Sequence, residues 1–444
     1  MSIGTRPVPA IAEGWVAEAG ASLRAHAGLG ALILAYSLIA LAAGAVFGDA
    51  SRISLWLYGS LFSTSAIIVG MAFLIARAIH IMFIVRPDQL MKTIVTDLRS
   101  NCLTRARLFN ALPVIVLLLI FNSVFTSIKA MIPLMHPYNW DATLMAWDTA
   151  VHFGVPPWRL LQPALAYPVI TGAINVFYNL WFFVLAGCWF WQAFTDRDPR
   201  LRMQFFVTFV LCFALLGNLA AVFLASGGPC FYGHFVTGQD PYAPLMQYLH
   251  QASLREPLVW SVGMQEVLWK IYAENGFEMG SGISAMPSMH LAGATLFAAL
   301  GWRTGRAPGM ALTGYAAVIM IGSVHLGWHY AIDGYVAIFG TLAIWRVAGS
   351  LINRYDWLFI GNHHSNPVSW SSTRSGRLHA RHCGEMAAPD EASSRGHGAR
   401  LIIPPGHGSF QAAILARRFP RPASSCDGPA RTAATGPRPA GGFQ

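Results

Sequence analysis

Eight long apolar runs, near residues 29–47, 57–84, 109–128, 169–193, 204–226, 287–303, 309–328 and 331–352, constrain this chain more than any other feature. A helix needs roughly 20 apolar residues to cross about 30 Å of hydrocarbon. Lipid offers no partners to backbone N–H and C=O groups, so each run must satisfy its own backbone as a helix. Composition agrees, with 55% of the 444 residues hydrophobic and only 11% charged. The expected fold is all-α: a polytopic membrane helical bundle of about eight transmembrane helices. The first run is too long for a signal core and lacks a small-residue cleavage site behind it, so it reads as a retained helix.

The net charge of +10 comes from 30 Lys and Arg against 20 Asp and Glu. Only Lys92, Lys129 and Lys270 are Lys, which reads as a bias toward Arg, and no nucleic-acid partner is implied. Position says more than the total. Arg86, Lys92, Arg99, Arg105 and Arg107 follow the second run, Arg197, Arg200 and Arg202 the fourth, and Arg303 and Arg306 the sixth. Basic short loops stay cytoplasmic, and eight spans with both termini inside put all of these loops inside. Segments 129–168 and 227–286 then lie on the outer side of a cell (inner) membrane.

These boundaries divide the chain into a cytoplasmic segment 1–28, two additional helices with a basic loop over 29–108, a six-helix core over 109–352, and a tail 353–444. The tail is rich in Arg, Pro, Gly, Ser and Ala and is expected to be disordered. Tyr138, Trp140, Trp147, Trp158 and Tyr167 in the first outer segment suit short interfacial helices, serving as membrane anchors or as substrate guides. The six Cys are scattered with no CxxC pair, so neither a disulfide framework nor a metal site follows, and no cofactor is expected.

Two short motifs carry the chemistry. Pro287-Ser288-Met289-His290 opens the sixth run, and His329-Tyr330-Ala331-Ile332-Asp333 opens the eighth, both at the outer boundary. Ionisable groups beside hydrocarbon are costly and usually functional. His329 and Asp333 are four apart, so in a helix they share a face. A carboxylate there accepts the imidazole N–H, fixes the tautomer and leaves the other nitrogen as nucleophile or base. Pro287 disfavours helical geometry at Met286, and Ser288 with the first-turn amides makes a phosphate cradle at a helix start. One imidazole to attack phosphorus and a second to move the proton are what covalent phosphoryl transfer requires. Taken singly, PSxH and HxxxD are weak signals, since a His in an apolar helix is more often a hydrogen-bonded core residue.

Ala285-Met286-Pro287-Ser288-Met289-His290 resembles the second signature of the type 2 phosphatidic acid phosphatase superfamily, and His329 to Asp333 resembles the end of its third. The resemblance implies a six-helix bundle with its active site at the membrane surface, His329 as nucleophile forming a phosphohistidine, His290 as general acid and base, and Asp333 as the partner of His329. The chain departs from the phosphatase branch, however. Position 323 is Ser where that branch has Arg, and its Lys-x6-Arg-Pro signature is absent. Gly227-Gly228-Pro229-Cys230-Phe231-Tyr232 is instead similar to the Gly-x-Pro-x-x-Tyr segment of the inositol phosphorylceramide synthase branch. The stretch from Tyr138 through Asp141 to Asp148 is also similar, though loosely.

A pocket lacking the Arg and Lys clamp suits a singly charged phosphodiester better than a doubly charged monoester. The sequence therefore points to a phosphotransferase that moves a head group from a membrane phospholipid to a lipid or sugar alcohol. Catalysis falls to His329, His290 and Asp333, and substrate binding to Ser288, Gly228, Pro229, Tyr232 and His325. His325 either binds phosphate or hydrogen-bonds within the bundle; Tyr232 either orients a substrate oxygen or anchors at the interface. His325, Lys270, Arg255 and Arg159 are the outer groups able to supply positive charge. The alternatives are a lipid phosphate phosphatase using water as acceptor, and a non-catalytic lipid or ion transporter.

Overall fold

The computed structural model describes residues 8–360 apart from Asp49 and Met279, and helix is the only regular structure among them. Residues 1–7 and 361–444, and with them most of the expected tail, lie outside the described residues. The chain opens with α1 (Val8–Ala25), α2 (Ala27–Phe47), α3 (Gly59–His80) and α4 (Leu90–Asp97). α5 (Arg105–Met135) then runs for 31 residues. Two short helices, α6 (Asp141–Val151) and α7 (Pro157–Leu165), lead into α8 (Pro168–Asn179) and α9 (Trp181–Phe194), which meet at Leu180. α10 (Pro199–Cys212) continues through a π-helical stretch, Phe213–Ala220, into α11 (Ala221–Phe223). α12 (Tyr232–Phe235), α13 (Ala243–Arg255) and α14 (Ser261–Ala273) occupy the second long connection. α15 (Met289–Thr304), α16 (Arg306–His325), α17 (Ala331–Arg354) and α18 (Asp356–Phe359) complete the described chain.

Local chemistry sets the helix starts. Thr104 caps α5 by accepting the Arg107 N–H, and Asp198 caps α10 by accepting that of Leu201 at 3.0 Å. Proline stands in the first turn of α7, α8 and α10, where its missing N–H costs nothing.

Seven helical stretches among the described residues are long and apolar enough to cross a membrane, which makes this a multi-pass membrane protein. The sixth apolar run became α15, a helix of 16 residues. At 1.5 Å per residue it rises only about 24 Å, short of a full crossing. The reason is that its start is buried: Ser288 and Leu291 are fully enclosed, and α15 packs against α16, α17 and α10. Its small residues Ala292, Gly293 and Ala294 allow that close approach.

A ladder of rings runs through the centre of the bundle, with Phe209 and Phe213 4.3 Å apart, Phe125 5.1 Å from Phe213, and Phe121 5.9 Å from Phe209. The N-terminal helices are tied to this core by polar contacts. Buried Arg202 donates to the carbonyls of Gln192 (2.9 Å) and Asn110 (2.6 Å), and to His26 Nε2 at 2.9 Å. Arginine cannot accept a hydrogen bond, so His26 must carry its proton on Nδ1, which donates to the Ser22 carbonyl at 2.7 Å.

Candidate active site

The connection between α16 and α17 is a tight turn that holds His329. Trp328 and His329 both donate their backbone N–H to the Ser323 carbonyl, at 3.0 and 3.1 Å. Gln265 on α14 donates to the Leu326 carbonyl at 2.9 Å, so the second long connection braces the same turn. His329 Nδ1 lies 2.8 Å from the Ala285 carbonyl and 3.4 Å from Asp333 Oδ2. Both are acceptors, so Nδ1 carries the proton and Nε2 presents its lone pair. Nε2 has no hydrogen-bond partner among the described residues. Asp333 is fully buried, and its Oδ2 also accepts the Tyr330 N–H at 3.0 Å, which fixes the carboxylate at the start of α17.

The Gly-Gly-Pro segment stands against this turn. Gly228 has φ +92°, the left-handed region, and a Cβ there would come within 2.7 Å of the Trp328 carbonyl oxygen. Pro229 starts the following 3-10 turn, and Cys230 N–H donates to the Gly327 carbonyl at 2.9 Å. Gly228→Ala should therefore cost about 1–2 kcal/mol for the backbone conformation alone. The clash with Trp328 adds to this and displaces the His329 turn. Melting temperature and turnover of the purified variant should fall together; wild-type values for both would show that the two segments do not need this contact.

Two carboxylates on α6 clamp these pieces. The Asp141 carboxylate accepts the N–H of Gly227 and Gly228, each at 2.8 Å, and the Tyr330 hydroxyl at 2.7 Å. Asp148 accepts the N–H of Ala331 at 3.1 Å and of Ile332 at 3.0 Å, the first free amides of α17. Burial pushes both carboxyls above the usual carboxylate range, and these donated hydrogen bonds pull them back. Asp141 and Asp148 are seven apart, two helical turns on one face, so a single short helix holds both motif loops.

His290, in the first turn of α15, sits in an aromatic cage. Its ring stacks on Tyr178 at 4.5 Å, lies 4.7 Å from Trp181, and meets Phe182 edge-on at 5.8 Å. Trp181 Nε1 donates to the His290 carbonyl at 2.9 Å, which fixes the backbone as well. The side chains of His329 and Lys129 lie close enough for their fields to act on His290. Ser288 is the N-cap of α15: its hydroxyl accepts the Leu291 N–H at 3.4 Å and its own N–H donates to the Asp333 carbonyl at 3.2 Å.

The remaining sequence candidates lie farther from the imidazole pair. Tyr232 is buried with its ring 5.6 Å from Tyr242, which in turn stands 5.7 Å from Tyr330. His325 is fully buried, with Nε2 2.9 Å from Thr171 Oγ1, itself 2.6 Å from the Tyr248 hydroxyl. The geometry thus gathers Ser288, His290, Gly228, His329 and Asp333 at one end of the bundle. It adds contacts from Asp141, Asp148, Tyr330 and the Ala285 carbonyl, to which motif reading gave no role. The spacing of Asp141 and Asp148 was the available signal; the role of a carbonyl leaves none.

The family model described as the PAP2 superfamily matches residues 142–347. Over those residues the chain is similar to the PAP2 superfamily. Members of that superfamily are lipid phosphatases or phosphotransferases. The matched residues run from α6 into α17 and include both histidine motifs, while α1 to α5 lie outside them. Searches of the curated proteins and of the solved structures give no match.

Proposed function

We propose that this protein is a membrane phosphotransferase that moves a phospho-head group from a phospholipid donor to a lipid or sugar alcohol through a phosphohistidine, in the manner of the inositol phosphorylceramide synthase branch. The observation that carries this reading is the pinned imidazole of His329, with Nδ1 held by Ala285 and Asp333 and Nε2 free, beside His290. In the first half-reaction, His329 Nε2 attacks phosphorus. The bond from phosphorus to the diacylglycerol oxygen breaks, its electron pair leaves with that oxygen, and His290 supplies the proton. In the second half-reaction, His290 takes the proton of the acceptor hydroxyl. The acceptor oxygen attacks phosphorus, and the P–N bond breaks to restore the His329 lone pair.

Asp333 stabilises the cationic ring while the P–N bond exists, and the clamps from Asp141 and Asp148 keep the turn from moving as charge shifts. With α15 taken as a short eighth crossing, the distribution of Arg and Lys in the short loops supports an outward-facing site with both termini cytoplasmic.

The test uses vesicles that contain purified protein, a phospholipid labelled at its head-group phosphorus, and a mixture of alcohol acceptors. The expected product is a labelled lipid that differs from the donor and forms in step with diacylglycerol. Release of water-soluble label matching diacylglycerol, with no new labelled lipid, would instead identify water as the acceptor. Flux of intact lipid or ion without any new product would mark a transporter.

A further inference from the structure

The matched stretch lacks the Arg and Lys signatures that hold phosphate in the phosphatase branch, yet a phosphoryl group between two histidines needs a cation. We propose that Lys129, on α5 and outside the matched residues 142–347, is that cation, and that it makes the site a binding place for a singly charged phosphodiester.

Three geometric observations place Lys129 there. Phe125, one turn earlier on the same face, meets Met289 over Gly217: a Cβ on Gly217 would lie 2.7 Å from the Phe125 ring and 2.9 Å from the Met289 sulfur. Met289 is the residue beside His290. Ile132, one turn later, is buried in a cluster with Ala225, Phe231 and Ile283, the residues flanking the Gly-Gly-Pro segment and the Ala285 carbonyl. The backbone of Lys129 itself touches the approach to the second motif, since a Cβ on Gly282 would lie 2.8 Å from the Lys129 carbonyl carbon. Its side chain thus leaves α5 between the level of His290 and the level of Ala285, and its charge acts on His290.

Among the described residues the ammonium group has no hydrogen bond and no ion pair. A cation held in such surroundings without a partner is costly, which is the expected state of a group that waits for an anionic substrate. Of the cations raised by sequence, His325 is bound to Thr171 and the Arg159 guanidinium lies over the Trp158 ring.

The inference deepens the proposed transfer reaction and rests on the phosphorus lying between His329 and His290. One positive charge balances a diester; a monoester would leave its second charge unbalanced. The test is calorimetric titration of the detergent-purified full-length protein with dibutyl phosphate, an unreactive diester, and with monobutyl phosphate at pH 8. Wild type should bind dibutyl phosphate more tightly than monobutyl phosphate. Lys129→Met should weaken dibutyl phosphate binding at least tenfold, with Lys129→Arg in between.

The melting temperature of Lys129→Met should not fall, because an uncompensated charge has been removed; this separates ligand binding from a structural role. Unchanged binding in Lys129→Met, no measurable binding by wild type, or tighter binding of the monoester would each overturn the assignment. His329→Ala separates this inference from the reaction itself. If that variant still binds dibutyl phosphate while labelled donor never phosphorylates His329 in wild type, the Lys129 site stands and the phosphohistidine reading falls.

Discussion

Replacing His329 by Ala is expected to lower lipid turnover by about four orders of magnitude or more, because a nucleophile that acts as a unit with its base has no substitute in the site. The fold should survive. The ring is nearly buried, yet its partners keep other bonds: Asp333 Oδ2 still accepts the Tyr330 N–H at 3.0 Å. The Ala285 carbonyl loses its partner, a loss of about 1–3 kcal/mol. The measurement is initial rate with purified, monodisperse variant beside a melting curve. A variant that melts within a few degrees of wild type and turns over at more than a hundredth of its rate would remove His329 from the chemistry. The same sample, freed of His329, should give no acid-labile phosphoprotein when incubated with labelled donor, whereas wild type should.

The second large effect is expected at Asp141, which touches no substrate. Asp141→Ala strands three donors at once: the N–H groups of Gly227 and Gly228 and the hydroxyl of Tyr330. Each buried and unpaired donor costs about 1–3 kcal/mol. With partial relaxation the variant should be destabilised by about 3–5 kcal/mol, enough to unfold many proteins. Asp141→Asn keeps the shape and one acceptor oxygen and should recover part of the loss, while Tyr330→Phe removes one donor and should cost about 1 kcal/mol. Thermal unfolding in detergent, followed by size exclusion, reads all three. A normal melting temperature for Asp141→Ala would mean that the Gly-Gly-Pro segment and the α17 start hold together without α6.

These two residues also show how far the sequence could be read. His329 and Asp333 were legible as a close pair from their spacing of four, although His329 stands in the turn before α17 and not within the helix that the shared-face argument assumed. His290 was legible because proline and serine announce a helix start. The polarity of each residue beside an apolar run marked it as a candidate before any contact was known. The Ala285 carbonyl, which shares His329 Nδ1 with Asp333, was not legible, because every residue has a carbonyl and only tertiary approach selects one.

Lys129 was present in the sequence as a lone cation at the end of the third run. Motif reading passed it over because 160 intervening residues separate it from His290. Only packing of α5 against the π-helical stretch, through Phe125 and Gly217, brings it to the level of His290. Helix length shows the same division. The apolar run at 287–303 fixed the existence of α15, but its 16 residues became a short buried strut because α16, α17 and α10 enclose its start.

The amino-acid sequence by itself determined that the chain is a bundle of membrane helices, because lipid forces every apolar run to close its own hydrogen bonds. It also determined which two histidines stand beside helix starts. The tertiary structure decided which imidazole nitrogen is free and what holds each ring. It also decided which carboxylates bind the loops together and which cation faces the pair. Those are properties of groups far apart in the chain, and local periodicity carries no information about them.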